Sequence, residues 1–104
     1  MNSYRESEHL RAIFVKYLGP TKTKNKRLKF DDKRWPESQT VEYSEDLFEQ
    51  FQEQAYKQLL LSGFNIVSRA STKKNFIFLV DNWDENYKSV KEIIKTKKLW
   101  NYEN

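Results

Sequence analysis

The spacing of apolar and polar residues predicts a β-strand over residues 12–18, near the start of the chain. Its apolar residues fall on both faces, with Ile13, Val15 and Tyr17 on one and Ala12, Phe14 and Leu18 on the other. Lys16 is the single charge in this run. Apolar residues on both faces predict an inner strand that is covered, at least in part, on both sides. Gly19-Pro20 ends the strand, because proline cannot donate a hydrogen bond to a neighbouring strand.

Two further strands are predicted after a polar loop. Residues 27–31 alternate cleanly, with Leu28 and Phe30 pointing inward and Arg27, Lys29 and Asp31 pointing outward. Residues 39–43 alternate again, after a loop, DKRWPES, in which Pro36 prevents regular structure.

A helix is predicted over about residues 45–62. Ser44 is a suitable N-cap, Glu45 and Asp46 suit the positive end of the helix dipole, and Tyr43 has the spacing of a hydrophobic staple with Phe48. An apolar stripe follows: Phe48, Phe51, Ala55 and Leu59, with Leu47, Tyr56 and Leu60 beside it. Gly63 is expected at C′, with Phe64 next to Leu59.

The rest of the chain predicts a hairpin and a last helix. Residues 65–71 and 76–80 are its two strands, and FIFLV in the second reads as central in the sheet. A helix over 84–100 is expected to begin at Asn82 or Asp84 and to end with lysines. The fold class is therefore α+β, with a mostly antiparallel sheet in one domain: an arm at 1–10, a core unit at 12–81 and the C-terminal helix.

Composition narrows the class of protein. The 104 residues include no cysteine, which removes disulfides and thiolate chemistry, and a single histidine, His9, which removes a His-based triad or His metal cluster. No run is long and apolar enough to span a bilayer, and the N-terminus is too charged for a signal peptide. We therefore expect a soluble cytoplasmic protein that is not an enzyme and needs no cofactor.

Charge is unevenly distributed, although the net charge is only +4. Residues 20–34 carry seven basic and two acidic side chains, whereas residues 35–54 carry six acidic and no basic ones. A basic loop leading into a basic strand face can follow phosphates, and neighbouring aromatic rings can stack on bases. The predicted nucleic-acid-binding residues are Lys16, Lys22, Lys24, Lys26, Arg27, Lys29, Lys33 and Arg34, with the aromatic Tyr17 and Trp35.

Each group of charged residues also has an explanation that does not involve nucleic acid. Lysines on an edge strand discourage sheet-to-sheet aggregation, and the basic segment also suits another acidic partner. The acidic run (Glu37, Glu42, Glu45, Asp46, Glu49 and Glu53) suits a capped helix start or a surface for a basic partner. The lysines at 88, 91, 95, 97 and 98 suit the polar face of a helix, and Trp100 and Tyr102 are expected to pack on the sheet. Asp31-Asp32 and Asp81 with Asp84 are turn and cap residues in preference to a Mg²⁺ site, so no metal is predicted.

Residues 12–30, AIFVKYLGPTKTKNKRLKF, resemble the opening of small uncharacterised proteins encoded on bacterial plasmids and phages, which run like IFVKYLxxTNTKxxRLKA. FIFLVD at 76–81 is similar to their YVFVFVD ending. The chain departs from that pattern at Lys22, in the DKRWPES segment and in the C-terminal helix. The resemblance implies a mobile-element origin and the same α+β fold, and it brings no activity or catalytic residues.

The sequence therefore favours a nucleic-acid-binding accessory protein of a mobile element, with DNA preferred over RNA and phosphates as the contacts. The alternative is a protein-binding module that modulates an enzyme of the element or its host, through the acidic helix face or the Trp83/Trp100 end. A structural, self-assembling protein is the third possibility. No membrane partner is expected.

Overall fold

A computed structural model describes residues 10–33, 36–72, 75–81 and 89–94. Five strands and two helices follow one another along these residues. They are β1 (Leu10–Leu18), β2 (Arg27–Asp31), β3 (Ser38–Glu42), α1 (Phe51–Leu61), β4 (Asn65–Ser71), β5 (Phe76–Asp81) and α2 (Val90–Ile93). The predicted fold class is confirmed: this is an α+β arrangement built on an antiparallel sheet.

The sheet has the strand order β3-β2-β1-β5-β4, and every neighbouring pair is antiparallel. β1 is the central strand, and β3 and β4 form the edges. The predicted bounds of β2 and β4 are confirmed, while β1 begins at Leu10, two residues earlier than predicted and inside the predicted arm. A register shift between Ile66 and Ser68 places Val67 in a bulge on the β4 edge.

The two faces of the sheet differ in what covers them. One, here called the core face, carries buried residues of four strands: Ile13, Val15, Leu28, Phe30, Val41, Phe78 and Val80. α1 covers this face with Ala55 and Leu59, and α2 adds Val90 and Ile93 to the same hydrophobic cluster. The opposite face, here called the outer face, has no helix against it in the part of the chain that the structure describes.

The predicted start of the first helix is wrong, because α1 begins at Phe51 instead of Glu45. The amide of Gln54 explains the delay: its oxygen accepts a hydrogen bond from Ser44 N–H at 2.7 Å, and its nitrogen donates to the Glu42 carbonyl at 2.8 Å. These bonds tie the backbone at the end of β3 to α1, and only a single turn follows Ser44, with Phe48 N–H donating to the Ser44 carbonyl at 3.0 Å. The helix begins later, where the Glu53 carboxylate accepts from the N–H of Gln50 at 3.0 Å.

The predicted end of α1 is confirmed. Phe64 N–H donates to the Leu59 carbonyl at 3.0 Å and Gly63 N–H donates to the Leu60 carbonyl at 3.1 Å, which is the Schellman pattern. Gly63 has a φ of +98°, a left-handed conformation that glycine adopts without a side-chain clash.

A buried ion pair joins the start of β1 to the residue after β2. The Arg11 guanidinium contacts the Asp32 carboxylate at 2.8 Å, with the two side chains 0% and 3% exposed. Arg11 also lies over the ring of Phe64, 5.7 Å from its centroid. Asp32 is therefore part of the fold's interior and not a surface turn residue.

The second predicted helix is shorter within the described residues than its 84–100 prediction. Ser89 is extended and caps α2, accepting from Glu92 N–H at 3.3 Å, and Ile94 is extended again at the C-terminal end. The Gln39 amide donates to the carbonyls of Lys91 and Ile94, at 3.2 Å and 2.9 Å, and so ties α2 to β3. The predicted caps Asn82 and Asp84 and the residues from 95 onward lie outside the described ranges.

Candidate nucleic-acid interface

On the outer face of the sheet, two lysines lie opposite each other on β1 and β2, neither of which is an edge strand. Lys16 of β1 is the direct cross-strand partner of Lys29 of β2. Direct partners in an antiparallel pair point to the same side, with Cα atoms about 4.5–5.5 Å apart. Among the residues that the structure describes, no carboxylate lies within ion-pair distance of either lysine. The pair therefore places two positive charges side by side without a neutralising partner in this part of the chain.

Arg27 closes the base of the loop that joins β1 to β2. Its Nε donates to the Asn25 carbonyl at 3.0 Å, and its terminal nitrogen donates to the Gly19 carbonyl at 3.4 Å. Arg27 is also the cross-strand partner of Glu42 in β3. The guanidinium thus joins the two ends of the loop and lies beside the Lys16–Lys29 pair.

The loop itself is held by its own polar groups. The Thr21 hydroxyl accepts from Lys24 N–H at 3.0 Å and from Thr23 N–H at 3.3 Å, while Thr21 N–H donates to the Lys24 carbonyl at 2.8 Å. Lys22 and Lys24 are both exposed on this turn. Two further cations are therefore presented on an ordered turn at the same end of β1 and β2.

Lys33 lies beyond the end of β2, near Phe14 of β1. Its ammonium lies 5.2 Å from the centroid of the Phe14 ring and 4.0 Å from the Asp31 carboxylate. Phe14 and Asp31 are themselves cross-strand partners on the outer face. The basic patch is defined here as Lys16, Lys22, Lys24, Arg27, Lys29 and Lys33.

The structure separates Lys26 and Tyr17 from this patch. Lys26 forms an ion pair with Glu45 and lines an open cavity of about 320 Å³ on the α1 side of the sheet. Tyr17 is the cross-strand partner of the buried Leu28, and its ring centroid lies 6.0 Å from that of Tyr43 in an edge-to-face contact. Both therefore lie on the core side of the sheet, whereas the predicted residues Arg34 and Trp35 lie outside the described ranges.

Lys26 and Tyr43 have raised pKa values with clear causes. The hydrogen bond to Glu45 raises the pKa of Lys26, and the negative charge of Glu45 acts in the same direction. Burial raises the pKa of the Tyr43 phenol, with the charge of Glu45 as the second cause. The Tyr43 hydroxyl donates to the Phe48 carbonyl at 2.8 Å. This corner is therefore a neutral phenol next to a compensated ion pair.

Several residues of the acidic run have local partners. Glu42 accepts from the Asn25 amide at 2.8 Å, Glu45 pairs with Lys26, and Glu53 accepts from the N–H of Gln50. Within the described ranges, no group of three or more histidines and carboxylates is arranged to hold a metal ion.

Two features of the site were not assigned from the sequence. The sequence placed Phe14 on the second face of β1, but not beside Lys33, because that contact depends on how the chain leaves β2. Lys16 was counted among the binding residues, but the register that sets it opposite Lys29 depends on the length of the β1–β2 loop. The regular alternation of β2 was the signal that put Lys29 on the outer face.

Comparison with protein-family models, with curated proteins and with solved structures finds no match for this chain. Among the described residues, no helix has the length and apolar character needed to cross a membrane. The site must therefore be interpreted from its own geometry.

Proposed function

We propose that this chain is a small, non-enzymatic nucleic-acid-binding protein that contacts phosphates through the basic patch. The resemblance of residues 12–30 to plasmid- and phage-encoded proteins extends the proposal to an accessory role in a mobile element, with DNA as the favoured nucleic acid. The proposal rests mainly on one observation, the Lys16–Lys29 cross-strand pair.

Like charges that face each other across two strands destabilise the sheet. Lys16 and Lys29 face each other in this way on the outer face, and the described part of the chain has no carboxylate within ion-pair distance of them. An anion held between the two ammonium groups removes this repulsion, and phosphate is the anion that nucleic acid supplies repeatedly. The pair therefore favours a polyanionic ligand over simple solvation.

Protection of a sheet edge does not explain these lysines. Lysine is often placed on edge strands, where it prevents pairing with another sheet. Here the edges are β3 and β4, whereas Lys16 and Lys29 lie on the interior strands β1 and β2. Because neither strand is an edge, protection against sheet-to-sheet aggregation does not explain the charges of Lys16 and Lys29.

The loop between β1 and β2 supports the same conclusion. Lys22 and Lys24 extend from a turn that is already fixed by Thr21, and its two ends are joined by Arg27. Cations on an ordered turn lose less conformational entropy on binding than cations on a free loop. We assign Lys16, Lys22, Lys24 and Lys29 as phosphate contacts and Arg27 as the residue that positions the loop.

The proposal is tested by fluorescence-anisotropy binding of short duplex and single-stranded DNA over a range of salt concentration. Four phosphate contacts predict a slope of log affinity against log salt of about −3.6 on duplex and about −2.8 on a single strand. Affinity that does not change with salt would contradict the proposal.

A matched pair of variants locates the contact. Lys24→Gln and Lys91→Gln each remove one exposed lysine charge, but Lys91 lies on α2, on the other side of the sheet. Lys24→Gln is expected to make the duplex slope shallower by about 0.9, the value of one phosphate contact, while Lys91→Gln leaves it unchanged. Equal effects of the two variants would show that net charge, and not the basic patch, governs binding.

A further inference from the structure

The outer face of the sheet is divided into a basic part and an apolar part. The register places Phe14 next to Ile77, and Ala12 next to Leu79, on the central strands β1 and β5. Ala70 and Ser68 continue these two rows onto β4. The apolar half is defined here as Ala12, Phe14, Ile77, Leu79 and Ala70. Its side chains are only partly or not at all buried, and no described helix covers them.

The basic patch begins at Lys16, the next outer-face position of β1 after Phe14. Lys16 lies two positions after Phe14, a distance of about 6.8 Å along β1. Lys29 lies opposite Lys16, while Asp31 and its contact Lys33 lie beside Phe14. The face therefore places aromatic and aliphatic side chains within one lysine side-chain length of the cations of the basic patch.

Phe14 is partly exposed on the outer face, and the described group over its ring is the mobile end of a lysine side chain. The Lys33 ammonium already lies over the ring face, 5.2 Å from its centroid. The Lys33 side chain is 73% exposed, and its 4.0 Å contact with Asp31 is long for an ion pair, so little holds it in place. It can move aside to admit a flat group onto the ring.

Duplex and single-stranded nucleic acids differ in what they offer such a face. A duplex hides the faces of its bases in the stack, so an aromatic ring on a protein surface cannot stack on them. A single strand exposes its bases on one side and its phosphates on the other, and proteins bind it with aromatic platforms beside basic grooves. An apolar half next to a basic patch is therefore complementary to a single strand, whereas a duplex would leave the apolar half without a contact.

We infer that, given the proposed function, the ligand is single-stranded nucleic acid, with its phosphates on Lys16 and Lys29 and a base stacked on Phe14. This inference rests on the proposed function and adds the substrate class. Ile77 and Leu79 flank the stacked base with apolar surface. Stacking is tolerant of base identity, so the inference predicts little sequence preference.

The test compares three probes of equal length: oligothymidylate, an abasic strand with the same phosphates, and a duplex. The wild-type protein is expected to bind oligothymidylate about 5- to 150-fold more tightly than the abasic strand, the range for one base stacked on an aromatic ring. This comparison needs no variant, so it does not depend on how well a substituted protein folds.

Variants then assign the effect to Phe14. Phe14→Leu should bring the preference for oligothymidylate close to one while leaving affinity for the abasic strand unchanged, and Phe14→Tyr should keep the preference. Tyr17→Leu is the matched control, since Tyr17 is a part-exposed aromatic residue three positions away on the core face. It should leave the preference intact.

The outcomes separate this inference from the proposed function. Salt-dependent binding with equal affinity for oligothymidylate and the abasic strand, or tighter binding of the duplex, would overturn the inference and leave phosphate binding in place. Absence of salt-dependent binding to all three probes would overturn the proposed function as well. An acidic amphipathic peptide that binds through Phe14, when none of the probes does, would reassign the face to a protein partner.

Discussion

If the Lys16–Lys29 pair exists to bind an anion, reversing one of its charges should stabilise the free protein and weaken binding. Lys16→Glu is the cleaner choice of the two. Its neighbours two residues away on β1, Phe14 and Leu18, are uncharged, and the two charged residues diagonal to it on β2, Asp31 and Arg27, have opposite signs and nearly cancel. The change therefore reports mainly on the direct Lys29 partner.

The expected size follows from the geometry of the pair. For a separation of about 7 Å between the two ammonium groups, their interaction is about 0.6 kcal/mol in water, and about half of that at 0.1 M salt. Changing the interaction from repulsion to attraction alters the free energy of unfolding by twice the pair energy. Lys16→Glu should therefore stabilise the protein by about 0.6–1.2 kcal/mol, with the larger gain at low salt, and raise the melting temperature by roughly 2–8 °C.

The assay combines thermal unfolding at two salt concentrations with anisotropy binding to single-stranded DNA. Lys16→Glu should melt higher and bind more weakly than wild type. Lys16→Glu/Lys29→Glu restores a like-charged pair and should lose the stability gain without recovering binding. Lys91→Glu, which makes the same change in net charge on α2, is the control. A Lys16→Glu protein that melts at or below the wild-type temperature at low salt would refute the reasoning, because the two lysines would then not oppose each other.

Three further predictions concern the fold around the site. Arg11→Met removes the guanidinium that contacts the buried Asp32 carboxylate and should cost about 3–5 kcal/mol in urea unfolding, while Arg11→Met/Asp32→Leu should recover most of that loss; equal stability of the single and the double variant would contradict this. Gly63→Ala should cost about 1–2 kcal/mol because of its φ of +98°, whereas Gly19→Ala, where φ is not positive and an added Cβ meets nothing within 4 Å, should be close to neutral; similar costs at both sites would be unexpected. The raised pKa of Tyr43 means that the unfolded chain releases this proton first, so stability should fall as pH rises above about 10. Tyr43→Phe should show a smaller fall, and an equal one would show that Tyr43 does not contribute.

The strands could be predicted from the sequence because each carries its own periodicity. Leu28 and Phe30 alternate with Arg27, Lys29 and Asp31, and the structure buries the first two and orients the others outward. A period of two is a local property, and it survives folding wherever one face is buried.

The start of α1 could not be predicted, since it depends on a contact between elements. Ser44 has the right chemistry for an N-cap, but its backbone N–H is bound by Gln54, ten residues later. Gln54 and Gln58 are fully buried on the same side of the helix as Ala55 and Leu59. Their i+3 and i+4 spacing was visible in the sequence, but their polarity set them apart from the apolar stripe.

The composition of the candidate site was partly predictable, but its division between two faces was predictable only within β2, where the alternation pointed Arg27 and Lys29 outward. The charge run drew attention to residues 22–33, yet it could not distinguish Lys29, on the outer face, from Lys26, which pairs with Glu45 on the other side. That distinction depends on strand register and on the position of the turn after β3. Arg11 was missed for a similar reason, because its partner Asp32 is 21 residues away.

The most direct test of the account is the salt dependence of duplex DNA affinity for the wild-type protein and for Lys16→Gln/Lys29→Gln. If the outer-face pair makes two of four phosphate contacts, the slope should change from about −3.6 to about −1.8. A wild-type slope near zero, or a slope that the double substitution leaves unchanged, would contradict the claim that this pair binds phosphate.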